Sequence, residues 1–432
     1  MNESNVKVSV VMPILNTVNY IRECMDSLVN QTLTEIEILC VDANSTDGTR
    51  EILQEYADRD SRIRLLTDTK GSSGYANNHG MECATGEYVA IVEPDDFVAP
   101  DMYERLYTIA TENNAEVVRA DYKAFFGDGE RREYIDKAIA GKEDYGKVLD
   151  PAEQQQLFQN DMSTWAGIYK RQFIEENNIC HNETPGAAYQ DNGFWFLVMS
   201  HAKRVYYAPV SGYRYRMDNP NSSVHNRSKI YAICDEYEFI ADRLVQDGIY
   251  EQFKDRYIWA KIIRYLTSYY RLDDTLKEEF AERFAKEVQE HNLHGELNQE
   301  AFSKGQQKLI EKLLVNGVSF HEHIAKQKEE YHRLIEGNQT LVQYGCGSDG
   351  FRLLNYARGK ELLHRVSCLC DSNPNLWGTE VFGKTIYSLQ EVKEKYPDAV
   401  YLIASINYGD EIKESLIKNG IEADRLWCVN FC

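Results

Sequence analysis

The chain lacks an excess of basic residues: 69 acidic against 48 basic side chains leave a formal net charge of -21 over 432 residues. That balance disfavours broad contact with nucleic-acid phosphates and gives no support to a polyanion-binding role. An enzyme of this charge that handles anionic nucleotides needs a metal ion or local cations. Also absent is any apolar run of about 18 residues, and the first residues show neither the basic start nor the apolar core of a secretory signal. The expectation is a cytoplasmic protein without a transmembrane segment, with peripheral contact at the inner face of the membrane and homo-oligomerisation both left open. The ten cysteines lack paired metal-ligand spacing. Only Cys368 and Cys370 lie close together, on one strand face, so reduced and mostly buried thiols are expected. No repeat or low-complexity linker is present. At this length the chain is expected to hold two or three domains.

What is present is an alternation of apolar strands and helical patterns. Val6 to Met12 reads as a strand, Asn19 to Asn30 as a helix and Ile36 to Val41 as a second strand. A helix from Thr49 to Arg59, a strand at Ile63 to Leu66, a helix near Tyr75 to Ala84 and a strand at Tyr88 to Val92 continue the pattern, which predicts a parallel sheet. Each strand ends in a polar loop, and ligands of open α/β sheets collect at such carboxyl ends. The stretch from Asp101 to His225 is more mixed and is expected to complete the sheet. Helix-period, charged segments such as Tyr231 to Gln246 and Glu278 to Glu290 predict a helical unit over 226–336. Thr340 to Tyr344 then opens a third, βα-alternating unit over 337–432.

The strand Tyr88 to Val92 runs into Glu93-Pro94-Asp95-Asp96, three carboxylates in four positions. Such a cluster is costly unless something cationic neutralises it. A hard divalent ion, Mg²⁺ or Mn²⁺, would take oxygen ligands from one or two of these carboxylates and keep positions open for diphosphate oxygens. A solvated turn accounts equally well for this loop taken alone.

Its surroundings carry more. Val8-Ser-Val-Val-Met-Pro13-Ile-Leu-Asn16, Asp42-Ala-Asn-Ser45-Thr-Asp47-Gly48, Ala76-Asn-Asn78-His-Gly80 and Thr85-Gly86-Glu87-Tyr88 precede the acidic loop in order. Over 1–225 the chain thereby resembles the family 2 glycosyltransferases of the GT-A fold. The resemblance implies a GT-A nucleotide-sugar transferase domain, a nucleotide-sugar donor, a UDP-sugar first of all, and a divalent metal. It also implies donor contacts from Pro13, Asn16, Asp42, Asn78, Glu93 and Asp95. Asp42 would accept a hydrogen bond from a uracil-like imide, which suits a group that accepts and cannot donate. Asp95 corresponds to the direct metal ligand, with Glu93 where an Asp is usual. Leu15 stands where an aromatic is common, and Asn77 where an Arg is frequent.

Inverting transfer needs a carboxylate that takes the acceptor hydroxyl's proton as its oxygen attacks the anomeric carbon. The resemblance places that base at Asp191, within Tyr189-Gln-Asp191-Asn-Gly-Phe-Trp-Phe, where only one residue of the usual acidic pair is acidic. Trp165 and Asp96 fall on the acceptor side, the acceptor being a glycan or lipid-linked hydroxyl in surface polysaccharide or glycan assembly. In Tyr213-Arg214-Tyr215-Arg216 the period-2 spacing puts both arginines on one strand face, where they could meet diphosphate. His225 could cap the metal or the diphosphate. A structural role accounts equally well for these last three residues.

Gly345-Cys-Gly347-Ser-Asp-Gly350 follows a strand and opens a helix, and Asp371 ends the next strand about 20 residues on, as in dinucleotide sites. The unit resembles the small Rossmann-like domains attached to sugar-modifying enzymes. It is a second nucleotide site or a packing and assembly module. The competing readings of the whole chain are a non-catalytic or regulatory nucleotide-sugar binding protein, or a sugar-modifying enzyme driven by this C-terminal unit.

Overall fold

The computed structural model describes residues 6–221, 229–429 and 431. Two compact units divide the chain, Met1–Ala260 and Lys261–Cys432.

The first unit starts with β1 (Val8–Ile14), α1 (Ile21–Val29), β2 (Ile36–Asp42), α2 (Thr49–Ala57), β3 (Ile63–Thr67), α3 (Ser73–Cys83) and β4 (Tyr88–Ile91). These are the predicted elements within a few residues at each end. The next elements are β5 (Phe97–Val98), α4 (Met102–Glu112), β6 (Val117–Phe126), β7 (Glu133–Lys137), β8 (Val148–Leu149) and β9 (Gly167–Lys170). They are followed by α5 (Arg171–Glu176), α6 (Gln190–His201), β10 (Val205–Arg216) and α7 (Ala232–Gln246), and α8 (Tyr250–Arg271) begins here.

The strands form one sheet in the order β3-β2-β1-β4-β9-β6-β10-β5, with β7 on β6 and β8 on β10. β1 to β4 are mutually parallel where they pair, as the alternation predicts. Beyond β4 the sheet is mixed, because β9 lies antiparallel to both β4 and β6. The chain steps from β1 outward to β3 and returns to place β4 against the other side of β1. The carboxyl ends of β1 and β4 therefore flank a switch point, where such sheets open a crevice.

All seven residues of β1 are buried, as are all seven of β2. A strand covered on both faces reads as a continuous apolar run, and each fully buried Val, Leu or Ile is worth roughly 1.5–3 kcal/mol relative to exposure. Two polar exceptions pair with each other: Ser9 Oγ donates to Glu37 Oε1 at 2.7 Å and accepts Gly86 N–H at 2.8 Å. Helix α3 lies close on β1, since a Cβ at Gly80 would stand 2.3 Å from Val11 Cγ1. The glycine of the Ala-Asn-Asn-His-Gly run is thus a packing requirement. Helix α7 packs against α6.

The second unit holds α9 (Lys277–Leu293), α10 (Lys304–Val315) and α11 (Gly317–Ile335), which pack on one another. After them come β11 (Leu341–Tyr344), α12 (Ser348–Gly359), β12 (Val366–Cys370), β13 (Glu380–Val381) and β14 (Lys384–Tyr387). α13 (Leu389–Lys395), β15 (Val400–Ile403), α14 (Gly409–Lys418) and β16 (Leu426–Cys428) complete it. Their sheet runs β13-β14-β12-β11-β15-β16 and is parallel except for β13. The fold is therefore α/β throughout, with a GT-A-like sheet, a helical middle and a small Rossmann-like sheet. Cys368 and Cys370 are buried and free in it, and every other described cysteine is also free.

Candidate functional site

At the end of β1, Pro13 and Ile14 lie in register with Val41 and Asp42 of β2. The two following loops are stitched together by their polar residues. Asn16, in the left-handed region at φ 52°, donates its N–H to Ser45 Oγ at 2.9 Å and accepts Thr46 N–H on Oδ1 at 2.9 Å. Asp47 accepts Val18 N–H at 3.0 Å. Asp42 is 2% exposed and holds two donors, Ser45 N–H at 3.1 Å and Arg50 Nη1 at 2.7 Å. A carboxylate has about four lone-pair positions, so accepting capacity remains. Leu15, 56% exposed, is an apolar side chain turned to solvent beside this loop.

At the end of β4, one phenol organises the acidic loop. Tyr213 Oη donates to Asp96 Oδ2 at 2.7 Å and accepts Glu93 N–H at 3.1 Å. Arg216 N–H donates to Asp96 Oδ1 at 2.7 Å. Asp96, placed on the acceptor side by the sequence, is therefore buried with both oxygens engaged inside the protein. Burial, and then the Asp95 charge, push its carboxyl well above the usual range. Asp95 accepts Asn219 Nδ2 on Oδ2 at 2.6 Å, and its carbonyl accepts Arg216 Nε at 3.1 Å. Glu93 is pushed up to about 8 by burial, by Asp95 and by Asp191. The last contribution matters most for the site, because it brings the first turn of α6 within electrostatic reach of the loop. Asp191 itself is exposed, one residue into α6.

The remaining residues are engaged by the protein itself. Arg216 is 3% exposed, and its guanidinium meets Glu23 at 3.1 Å, Asp128 at 3.2 Å and Asp218 at 3.4 Å. It braces the acidic loop from behind with its charge already matched. Arg214 donates to the carbonyls of Ser211 and Tyr213 and has Asp136 and Asp101 as its acidic neighbours. Trp165 stacks on Tyr215 at 5.0 Å and on Tyr213 at 4.3 Å, which confirms that the two tyrosines share a strand face. Asn78 spends its amide on the segment before α6: it donates to His181 O and Glu183 Oε1 and accepts His181 N–H. His225 lies outside the described residues. Arg50, Tyr213, Asn219 and Glu23 carry no motif of their own and were not singled out as site residues by sequence reasoning. Long-range pairing marks Tyr213, Asn219 and Glu23, and the ion pair with Asp42 marks Arg50.

For a divalent cation, Asp95 and Glu93 are hard oxygen donors, and the proton affinity of Glu93 is raised first by burial and then by the negative charges of Asp95 and Asp191, an unbalanced excess of negative charge. A cation relieves that excess, so the residues fit the group. Among the described residues no cluster of three or more side chains has metal-holding geometry. The protein would thus contribute one or two ligands, the usual number when diphosphate oxygens supply the rest.

In the second unit, Gly345 adopts φ 101° at the end of β11. Asp371 accepts Cys346 N–H at 2.8 Å and Asn373 N–H at 2.8 Å, one on each carboxylate oxygen. Gln343 Nε2 donates to the carbonyls of Gly345 and Gly350. Gly347 precedes the first residue of α12 and is exposed. The acid expected to meet a ribose is thus engaged by the glycine turn itself.

The family described as glycosyl transferase family 2 matches residues 9–186. An uncharacterized glycosyltransferase, EpsJ of Bacillus subtilis (strain 168), is 32% identical over 221 residues, covering 50% of this chain and 62% of the relative. Another, YibD of Escherichia coli (strain K12), is 34% identical over 227 residues, 52% of this chain and 64% of the relative. The chain thus spans less than two thirds of the length of these relatives. Among solved structures, S. aureus TarS 1-349 in complex with UDP-GlcNAc superposes with a TM-score of 0.56 at 17% identity, covering 77% of this chain and 93% of that one.

Proposed function

We propose, because residues 9–186 match the family described as glycosyl transferase family 2, that the chain is an inverting, metal-dependent glycosyltransferase that moves a sugar from a nucleotide sugar to an acceptor hydroxyl. The observation that carries the reading is convergence at one rim of the sheet. Asp42 stands at the end of β2, Glu93 and Asp95 at the end of β4, and the Asp191 charge reaches Glu93 from α6. These sites match three tasks: holding a base, holding a diphosphate and taking a proton.

Asp42 accepts the imide N–H of a uracil, while Leu15 offers the ring an apolar surface. The UDP-GlcNAc complex of the TarS fold makes UDP-sugars the first donors to test. Asp95 and Glu93 would hold the cation, Mn²⁺ or Mg²⁺, which would supply charge neutralisation for the departing diphosphate. Asp191 accepts the acceptor's hydroxyl proton as that oxygen bonds to the anomeric carbon. The bond from that carbon to the diphosphate oxygen breaks, its electron pair leaves with the nucleotide, and configuration inverts. The acceptor class proposed is a glycan or lipid-linked hydroxyl of a surface polysaccharide. Among the described residues no helix is long and apolar enough to cross a membrane.

The test is transfer from a panel of UDP-sugars with Mn²⁺ by the parent chain and by Asp191→Asn. Loss of transfer in the variant with donor binding intact supports the reading, and full activity removes Asp191 from the mechanism.

A further inference from the structure

One buried carboxyl beside this site has no part in the mechanism above. Glu236, on α7, is 1% exposed. Its Oε1 accepts Gly193 N–H at 2.7 Å, and its Oε2 is buried without a hydrogen-bond partner. Burying a carboxyl oxygen in this way is costly, so its retention calls for a reason. The acidic groups facing it are Asp191 from α6 and Asp235 on its own helix, with Asn182 favouring its charged form.

The backbone around it is arranged for this contact. Tyr189 caps α6 in the left-handed region, at φ 66° and ψ 0°, which is an uncommon conformation for an aromatic residue. The Tyr189 carbonyl accepts Asn192 N–H at 2.8 Å and Asn192 Nδ2 at 3.1 Å. The Gly193 N–H turns outward to Glu236. Side-chain access there depends on glycine: a Cβ at 193 would stand 2.2 Å from Glu236 Oε1 and 3.1 Å from the Phe239 ring. The turn that carries Asp191 is thus held by a carboxyl from a neighbouring helix. The Asp191 charge is felt at Glu236, whose carboxyl is pushed up to about 8, mainly by burial.

We propose that Glu236 is the positioning residue of Asp191: seated in the notch at Gly193, its carboxyl fixes the first turn of α6 and hence the direction from which Asp191 meets the acceptor hydroxyl. This rests on Asp191 being the general base. It also explains why one acid suffices where the family usually places two in sequence, since the second carboxyl arrives through space from α7.

The experiment compares Asp191→Asn, Glu236→Ala, Glu236→Gln, Gly193→Ala and the Gly193→Ala/Glu236→Ala double variant. Each is measured for transfer kinetics, UDP-sugar affinity and thermal midpoint. A misdirected base costs turnover without costing donor binding, so Glu236→Ala is expected to lower kcat by about tenfold to a hundredfold with donor affinity unchanged. Glu236→Gln, whose amide oxygen still accepts the Gly193 N–H, is expected to restore most of that loss. Gly193→Ala is expected to repeat the loss in the parent and to add little once Glu236 is Ala, because the oxygen it collides with is gone. Should Glu236→Ala not fold, the comparison of Gly193→Ala with Glu236→Gln decides, and equal losses in both overturn the proposal. A parent-like kcat in folded Glu236→Ala, with Asp191→Asn inactive, overturns the positioning role and leaves the base in place. Full activity in Asp191→Asn overturns the base reading itself, whatever residue 236 does.

Discussion

Tyr213 donates its hydroxyl to Asp96 at 2.7 Å across 117 positions of sequence. Because the same oxygen accepts the Glu93 N–H, a single side chain at the end of β10 sets both ends of the acidic loop. Burial and the charges of Asp96 and Glu93 push its phenol well above the usual range, so it stays a donor at any working pH. Asp96 is accordingly a brace for the loop, and the exposed work falls to its neighbours.

Tyr213→Phe removes the donor to Asp96 and the acceptor for Glu93 at once. Leaving buried partners unsatisfied costs about 1–3 kcal/mol. A chemical-denaturation midpoint shifted by that amount, with transfer reduced more than UDP-sugar affinity, is the expected result. An unchanged midpoint would show that the loop finds other partners.

Asp42→Ala deletes a carboxylate that is 2% exposed and carries Arg50 at 2.7 Å. A hydrogen bond to a charged group is worth about 1.5–3 kcal/mol, so UDP binding should weaken roughly tenfold to a hundredfold by calorimetry. Arg50→Ala should weaken it less, because Ser45 N–H still orients the acid.

Asp95→Ala should abolish the cation dependence of transfer together with most of the activity, since charge stabilisation by the metal is worth several kcal/mol. Asp96→Asn should keep the cation midpoint of a Mn²⁺ titration where it was. Equal shifts in the two variants would place Asp96 among the ligands.

His181 stacks on Phe194 at 4.3 Å, and burial holds it down to about 3. Between about 6.5 and 3 the unfolded chain binds the extra proton, so the neutral folded histidine loses about 1.4 kcal/mol of stability per pH unit as pH falls. Glu93 and Glu236, raised to about 8, act in the opposite sense, their contribution fading as pH rises from about 4.5 to 8. The comparison that isolates the histidine is His181→Phe against the parent. Going from pH 7 to 5 should favour the variant by about 2 kcal/mol in denaturant titrations. Parallel pH curves would show that folding leaves the proton affinity of His181 unchanged.

Local order explains how much of this could be read from the chain. The βα alternation of residues 6–92 and the apolar runs of β1 and β2 fix elements by periodicity, which depends only on neighbours in sequence. The loops around Asp42 and Glu93-Pro-Asp-Asp follow because each terminates such a strand. The antiparallel insertion of β9 between β4 and β6 was not legible, since partners as far apart in sequence as Tyr88 and Lys170, or Val117 and Tyr169, leave no periodic trace. The same holds for the pairing of α7 with α6.

The sequence by itself determined the α/β class, the order of the Asp42 loop, the acidic loop and the Asp191 turn, and Asp191 as the one acid beside Gln190. The tertiary structure decided which side chains are free to act. It turned Asp96 inward on Tyr213, matched Arg216 against three carboxylates and engaged Asp371 with its own glycine turn. It also brought Glu236 to the first turn of α6. The reason is physical: motif spacing records local backbone geometry, whereas burial and charge balance are properties of the packed neighbourhood, set by residues a hundred positions away.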